Sequence, residues 1–240
     1  KMKMLVKMMG GSNAFALNTP ESDLDYRGIF VNVEPSKILG LEKHEHVQKQ
    51  EVDDIVYYEV RKFFELLRGG NTGALEILFS EDEPIETSDE FENLIKANKH
   101  KFVDTDKMFK CLLGYMQSER RLANGERTGQ LGGKRKAQLD MYGFSPKNFV
   151  QLFRLAECGV ALFQTGLFPV NLKKYNEEFR NGLLDIKVNP EKYSKDELNV
   201  KVDVAELRLR DAYENRKFKS EFDADLANDV LRQVYLPYLK

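Results

Sequence analysis

The chain has 240 residues, 42% of them hydrophobic and 32% charged, with a formal net charge of −2 at pH 7. That is the composition of a globular chain long enough for one sizeable core or two small ones, and its near-neutral balance excludes a bulk nucleic-acid coat while leaving room for local basic patches. No apolar run approaches the length of a membrane span, no signal-peptide apolar stretch opens the chain, and the two cysteines and three histidines have no zinc spacing.

Met4 to Met9 is a short, mostly apolar run that stops at Gly10 and Gly11, the pattern of a buried strand ending in a tight turn. Glycine lets the backbone approach a ligand closely, and successive N–H groups at such a turn form a concavity that favours anions. Ser12 adds a hydroxyl beside those amides. Thr19-Pro20-Glu21-Ser22 is turn chemistry, and Asp23 to Val31 alternates like a second strand. In that strand Asp23, Asp25 and Arg27 share one side, and Leu24 and Tyr26 share the other. Two carboxylates about 7 Å apart on one face repel each other unless a divalent cation sits between them. Oxygen-only ligation suits Mg²⁺ or Mn²⁺. Beside a phosphate-cradling turn, such a pair is what metal-assisted phosphoryl or nucleotidyl transfer needs.

Gly11-Ser12, a spacer of ten residues and Asp23-Leu24-Asp25 together resemble the signature of the DNA polymerase β-like nucleotidyltransferase superfamily. The longer wording from Gly11 through Thr19-Pro20-Glu21-Ser22 to Tyr26-Arg27-Gly28 and Phe30-Val31 is similar to one branch of it. That branch holds bacterial and phage nucleotidyltransferases linked to RNA repair. The resemblance implies that Asp23 and Asp25 hold metal, that Gly11 and Ser12 grip the β/γ-phosphates, and that Arg27 holds the aspartates apart or touches phosphate. It also implies a helix ahead of the first strand, so that with Lys1 in first place the start of the protein is expected to be missing.

Val33-Glu34-Pro35 ends the second strand, and Lys37 to Gln50 reads as a polar connector whose His44 and His46 sit on solvated surface. Glu51 to Tyr58 reads as a third strand entering a helix. The superfamily has a third acid on a neighbouring strand; Asp54 best matches that position, as metal ligand and as the group that orients or deprotonates the attacking hydroxyl, with Asp53 as the alternative. Glu59 reads as a carboxylate in the first turn of the helix that follows. Val60, Phe63, Phe64 and Leu67 give that helix one apolar face, Gly69-Gly70 stops it, and Asn71 caps the next. Arg61 through Asn71 to Glu76-Ile77-Leu78-Phe79 also resembles the same branch.

Ser80 to Glu90 is acidic, contains Pro84 and reads as a border between domains. Beyond it the periodicity is helical, with Met108, Leu112, Tyr115, Met116 and Leu122 on one face. Gly125 to Lys136 is a glycine-rich basic loop without the phosphate-loop pattern, suited to a triphosphate or an RNA backbone or simply to connecting helices. Ser145-Pro146-Lys147 opens the clearest helix and Gly166 ends it. Lys147, Gln151 and Arg154 form a polar stripe along this helix, where the branch places a Lys, a His and an Arg. With Gln151 in place of the His, two cations remain, read as phosphate binding or as a solvated face. Ser194-x-x-Glu197 and Asp203-x-x-Glu206 read as capping boxes, with helices from about Val204 to Lys217 and from Asp223 to Tyr235. Cys111 and Cys158, set in apolar helical patterns, read as buried thiols of a reducing cytoplasm.

The expected protein is therefore α+β, with a small mixed sheet and flanking helices over about residues 1–82 and a helical domain over about 88–240. The resemblance implies metal-dependent transfer of a nucleoside monophosphate from an NTP to an acceptor hydroxyl, with RNA, as tRNA or a repaired end, as the acceptor it points to. A protein hydroxyl or a small molecule is the alternative acceptor. Two other readings use the same residues: a nucleotide-binding or regulatory module without turnover, and a toxin or defence enzyme acting on tRNA or protein.

Overall fold

The computed structural model describes residues 2–50, 54–126 and 132–240. It divides into two compact units, Lys1–Thr105 with Ser220–Lys240, and Asp106–Lys219.

The first unit is built on β1 (Met2–Gly10), α1 (Gly11–Phe15), β2 (Asp25–Asn32), α2 (Pro35–Ile38), β3 (Val47–Gln50) and β4 (Ile55–Glu59). The sheet order is β1-β2-β4-β3, with β2 parallel to β4 and the outer pairs antiparallel, so the sheet is mixed as expected. The alternation that reads as a strand from Asp23 yields one only from Asp25. Asp23 and Leu24 still belong to the connection from α1, with Leu24 54% exposed. β1 shifts register between Met4 and Val6, a bulge that lets Leu5, Val6 and Met8 all reach the core.

Helices α3 (Val60–Arg68) and α4 (Thr72–Phe79) follow β4. The apolar stripe of α3 is buried as the spacing predicts, and Asn71 caps α4 by accepting from the Ala74 amide at 2.9 Å. Glu59 departs from its reading. It is the last residue of β4 and fully buried, and it accepts from the Arg61 amide at 2.7 Å and from the Tyr235 hydroxyl at 2.5 Å. His44, far from being solvated, brings Nε2 within 3.2 Å of Glu59 and Nδ1 within 2.9 Å of the Lys37 carbonyl.

The acidic segment around Pro84 is not a border. The Lys7 amide donates to Glu86 O at 2.8 Å, the Ile85 amide donates back to Lys7 O at 2.8 Å, and the Ser88 hydroxyl donates to Leu5 O at 2.8 Å. These residues cover the outer edge of β1, whose backbone groups would otherwise lie open. A one-turn π-helix (Glu90–Ile95) and a 3₁₀ stretch (Lys96–Phe102) follow. The division falls after Thr105 instead, and the last 21 residues, Ser220–Lys240, return to the sheet unit. The Thr105 amide donates to Ser220 O at 3.0 Å, and Phe222 lies 6.0 Å from Phe102, ring to ring. The helix numbered α11 below (Ala224–Tyr235) ends at the Tyr235 hydroxyl that Glu59 receives.

The second unit contains α5 (Thr105–Ala123), α6 (Gly133–Tyr142), α7 (Pro146–Thr165), α8 (Leu172–Tyr175), α9 (Glu177–Val188) and α10 (Lys195–Glu214), with α11 belonging to the first. α7 is its axis, buried from Phe149 to Phe163 on most sides. At Gly159 an added Cβ would lie 2.6 Å from Leu112 and 2.7 Å from Leu209, so α5 and α10 approach α7 closely there. Pro146 and the left-handed Gly166 bound α7 as predicted. Asp203 does not open a helix: α10 runs unbroken through it, and its carboxylate pairs with Arg120 at 2.8 Å. Lys134 to Lys136, read as loop, lie in α6; residues 127–131 of that loop lie outside the described set. Cys158 is buried and donates to Pro169 O at 3.2 Å, whereas Cys111 is partly exposed. No described helix is long and apolar enough to cross a membrane.

Candidate active site

The C-terminal end of β1 and the N-terminal ends of β2 and β4 meet at one end of the sheet, because β1 runs against two parallel neighbours. Gly10 pairs with Asp25 there. Gly11 has φ +57, and a Cβ on it would lie 1.7 Å from Asp25 Oδ2. Only glycine meets both conditions, so the turn and the carboxylate are built together. α1 is closed after one turn by Ala16 at φ 61, with the Leu17 amide donating to Ser12 O at 2.9 Å. The first amides of such a turn have no acceptor within the helix and point outward.

Asp23 is exposed and held through its backbone: Asn13 Nδ2 donates to Asp23 O at 3.1 Å. The turn ahead of it is closed by Ser22, whose hydroxyl accepts from the Thr19 amide at 2.8 Å and whose amide donates to Thr19 O at 3.0 Å. Asn13 was not singled out from sequence. Its signal was its place, directly after the Gly-Ser pair and ten residues before the first aspartate.

Arg27 follows Asp25 on the same face of β2. Its stem lies over Gly10, where an added Cβ would meet Arg27 Cγ at 2.4 Å. Its guanidinium donates to Tyr26 O at 2.9 Å and Asp54 O at 3.0 Å, and NH1 lies 3.9 Å from Asp54 Oδ1. Arg27 thus ties β2 to the residue that opens β4. Asp54 is an exposed turn residue with φ 42, and its carbonyl also accepts from the Tyr26 amide at 3.1 Å. The alternative acid, Asp53, lies outside the described residues.

Asp25 and the Gly11-Ser12 turn are brought into contact, Asp23 is tethered to the same turn, and Asp54 is joined to it through Arg27. The donor set is all carboxylate oxygen, which fits a hard divalent cation. Among the described residues no three His, Cys, Asp or Glu side chains are grouped so that they could hold a metal ion.

Lys147 and Arg154 belong to the second unit. Lys147 is exposed, but Arg154 is 1% exposed, and its Nε and NH2 donate to Gln151 Oε1 at 3.2 and 3.0 Å. The polar stripe is therefore solvated only at its start. The same unit holds a cavity of about 450 Å³ walled by Phe153, Val160, Phe179, Leu183, Ile186 and Tyr193. On its rim Glu157 is engaged by Arg208 at 2.7 Å and by the Tyr175 hydroxyl at 3.0 Å. Burial, then the Glu157 charge, push the Tyr175 hydroxyl well up. The wall also carries Glu178, Lys201 and Arg208, so it mixes apolar and charged side chains.

A glycine-serine turn closing one strand, set against an aspartate that opens the next on a small mixed sheet followed by helices, defines a nucleotidyltransferase fold of the polymerase β type. The chain belongs to the RlaP family, described as the RNA repair pathway DNA polymerase beta family, whose model matches residues 1–232. It is also 31% identical over 130 residues to a protein of Enterobacteria phage T4 described as "Uncharacterized 38.9 kDa protein in nrdC-mobD intergenic region". That match takes in 49% of this chain and 38% of the phage protein, so the matched stretch spans well under two thirds of the relative's length.

Proposed function

We propose that the protein moves a nucleoside monophosphate from an NTP to an acceptor hydroxyl on RNA, a tRNA or an RNA 3′ end, and releases pyrophosphate. The observation that carries this reading is the fit of the Asp25 carboxylate against Gly11, where any side chain would displace it. Asp23 and Asp25 are the residues to hold Mg²⁺ or Mn²⁺, with Asp54 or Asp53 as the third acid. The bound cation would neutralise the charge that develops on the phosphates. The amides at Gly11 and Ser12 and the Ser12 hydroxyl orient the β/γ-phosphates. The acceptor oxygen bonds to the α-phosphorus while the bond to the bridging oxygen breaks, and the hydroxyl proton passes to the third carboxylate. Arg27 positions the start of β4 for that carboxylate.

One observation favours a second reading, a nucleotide-binding module without turnover: the Asp54 carboxylate lies beside Arg27 rather than with Asp23 and Asp25. Both readings are tested by transfer from each α-³²P-labelled NTP, with Mg²⁺ or Mn²⁺, into total RNA and total protein. Label in RNA that the Asp23→Ala/Asp25→Ala variant does not give is the expected result. Label in protein alone replaces the acceptor, as a toxin or defence enzyme acting on protein would. NTP binding with no label in either supports the binding module.

A further inference from the structure

The two aspartates of the site are fixed by different means. Asp25 opens β2, pairs with Gly10 and lies against the Gly11 turn. The ladder between β1 and β2 ends at that pair, so Asp23 stands two residues outside it, exposed and followed by an exposed Leu24. An exposed residue beyond the end of a strand ordinarily samples several backbone conformations, and each aims its side chain differently. A carboxylate that shares a metal with a second carboxylate has to be held in one of them.

Two side chains supply that restraint. Ser22, the residue before Asp23, closes the preceding turn: its hydroxyl accepts from the Thr19 amide at 2.8 Å and lies 3.3 Å from the Thr19 hydroxyl. Asn13, ten residues ahead of Asp23, reaches it from the other side, Nδ2 donating to Asp23 O at 3.1 Å. Asn13 stands on a firm base. Ala14 and Phe15 after it are buried, and the Leu17 amide closes the turn onto Ser12 O at 2.9 Å. A carbonyl only accepts, so this bond requires the NH₂ group of the Asn13 amide. One short turn thus serves both acids: its first glycine is fitted to Asp25, and two residues on it carries the donor that holds Asp23.

We propose that Asn13 is a positioning residue for the metal-holding pair, setting the aim of the Asp23 carboxylate through its backbone, with Ser22 as a second tether. The inference rests on the reading of Asp23 and Asp25 as the residues that hold Mg²⁺ or Mn²⁺. It goes beyond that reading by assigning the spacing of the two carboxylates to side chains that act only through Asp23.

The test is a titration of Mn²⁺ into the full chain without nucleotide, with free Mn²⁺ read by electron paramagnetic resonance, beside transfer assays at rising Mn²⁺. The unaltered protein is expected to take up Mn²⁺ that Asp23→Ala/Asp25→Ala does not. Asn13→Ala is expected to weaken that uptake on the order of tenfold, the usual effect of losing a group that orients a metal ligand. Its transfer rate is expected to fall at low Mn²⁺ and to recover as Mn²⁺ is raised, which a general loss of folding would not do. Asn13→Gln, which keeps the NH₂ donor on a longer stem, is expected to restore part of the affinity. Ser22→Ala removes the other tether and is expected to weaken uptake in the same direction, which keeps the test open if Asn13→Ala does not fold. Unchanged Mn²⁺ affinity in folded Asn13→Ala, or a transfer defect that excess Mn²⁺ leaves in place, would overturn the positioning role. RNA labelled by the unaltered protein together with unchanged affinity in the variant would defeat the role and leave the proposed function standing. If the unaltered protein took up no more Mn²⁺ than Asp23→Ala/Asp25→Ala, the metal-holding pair and the positioning role would fall together.

Discussion

Gly11 is the position where one methyl group decides the most. Alanine there must adopt φ +57, which costs about 1–2 kcal/mol for an L side chain, and must displace an Asp25 oxygen that would lie 1.7 Å away. Gly11→Ala is therefore expected to lower nucleotide transfer on the order of 10²-fold, the effect of misplacing a reacting group by about 1 Å, while shifting Tm by only a few degrees. Parallel transfer assays and thermal melts check this; full transfer activity in a folded alanine variant would refute the assigned turn. The glycine turn at Gly11 and the strand that faces it from Asp25 were legible in the sequence because both lie within one short phrase of glycine, turn and alternating residues. The bond from Arg27 to Asp54 was not, because it depends on the parallel register of two strands 27 residues apart.

At the scale of elements, sequence served best where a helix carries its own stop and start. Pro146 and Gly166 bound α7, Asn71 caps α4 and Asp223 caps α11. Asp203-x-x-Glu206 misled because a capping box in mid-helix looks the same from sequence, and only Arg120, brought from α5, explains the aspartate. The turn after α9 yields a pH dependence. Tyr193, Asn189 and Lys192 all donate to Asp185, in that order of effect, and hold its carboxyl down at about 2, against 3.8 for the free group. A carboxyl lowered on folding stabilises above the unfolded value, so this contribution is whole above about pH 4 and fades as pH falls through about 2. The Tyr193 hydroxyl, pushed up to about 12 from 10.0 chiefly by the same bond, keeps its share below pH 10 and loses it as pH rises through 12. Asp185→Asn is expected to flatten the acid limb of urea midpoint against pH between about 4 and 2. A variant whose midpoint falls in parallel with the unaltered protein would refute the assignment.

For the whole molecule, composition allowed one core or two, and the chain builds two, but their boundary was hidden. The acidic stretch around Pro84 has the look of a linker and instead covers the edge of β1, while the last residues pair with partners more than a hundred positions earlier. Glu59 concentrates that closure. It is buried at the end of β4, caps α3, sits beside His44 and receives the Tyr235 hydroxyl of α11. Burial and the Glu59 charge raise the Tyr235 hydroxyl well above its ordinary range, so it remains a donor across the working pH range. A hydrogen bond to a charged group contributes about 1.5–3 kcal/mol, and Tyr235→Phe removes it while leaving Glu59 buried. Because each unit has its own core, unfolding is expected to show two calorimetric components. Tyr235→Phe should lower the component of the sheet unit by roughly 5–10 °C and leave that of the helical unit in place. Removal of Ser220–Lys240 should abolish the first component by exposing Phe102 and Glu59. If both components moved together under Tyr235→Phe, the chain would unfold as one cooperative body and the division after Thr105 would carry no thermodynamic meaning.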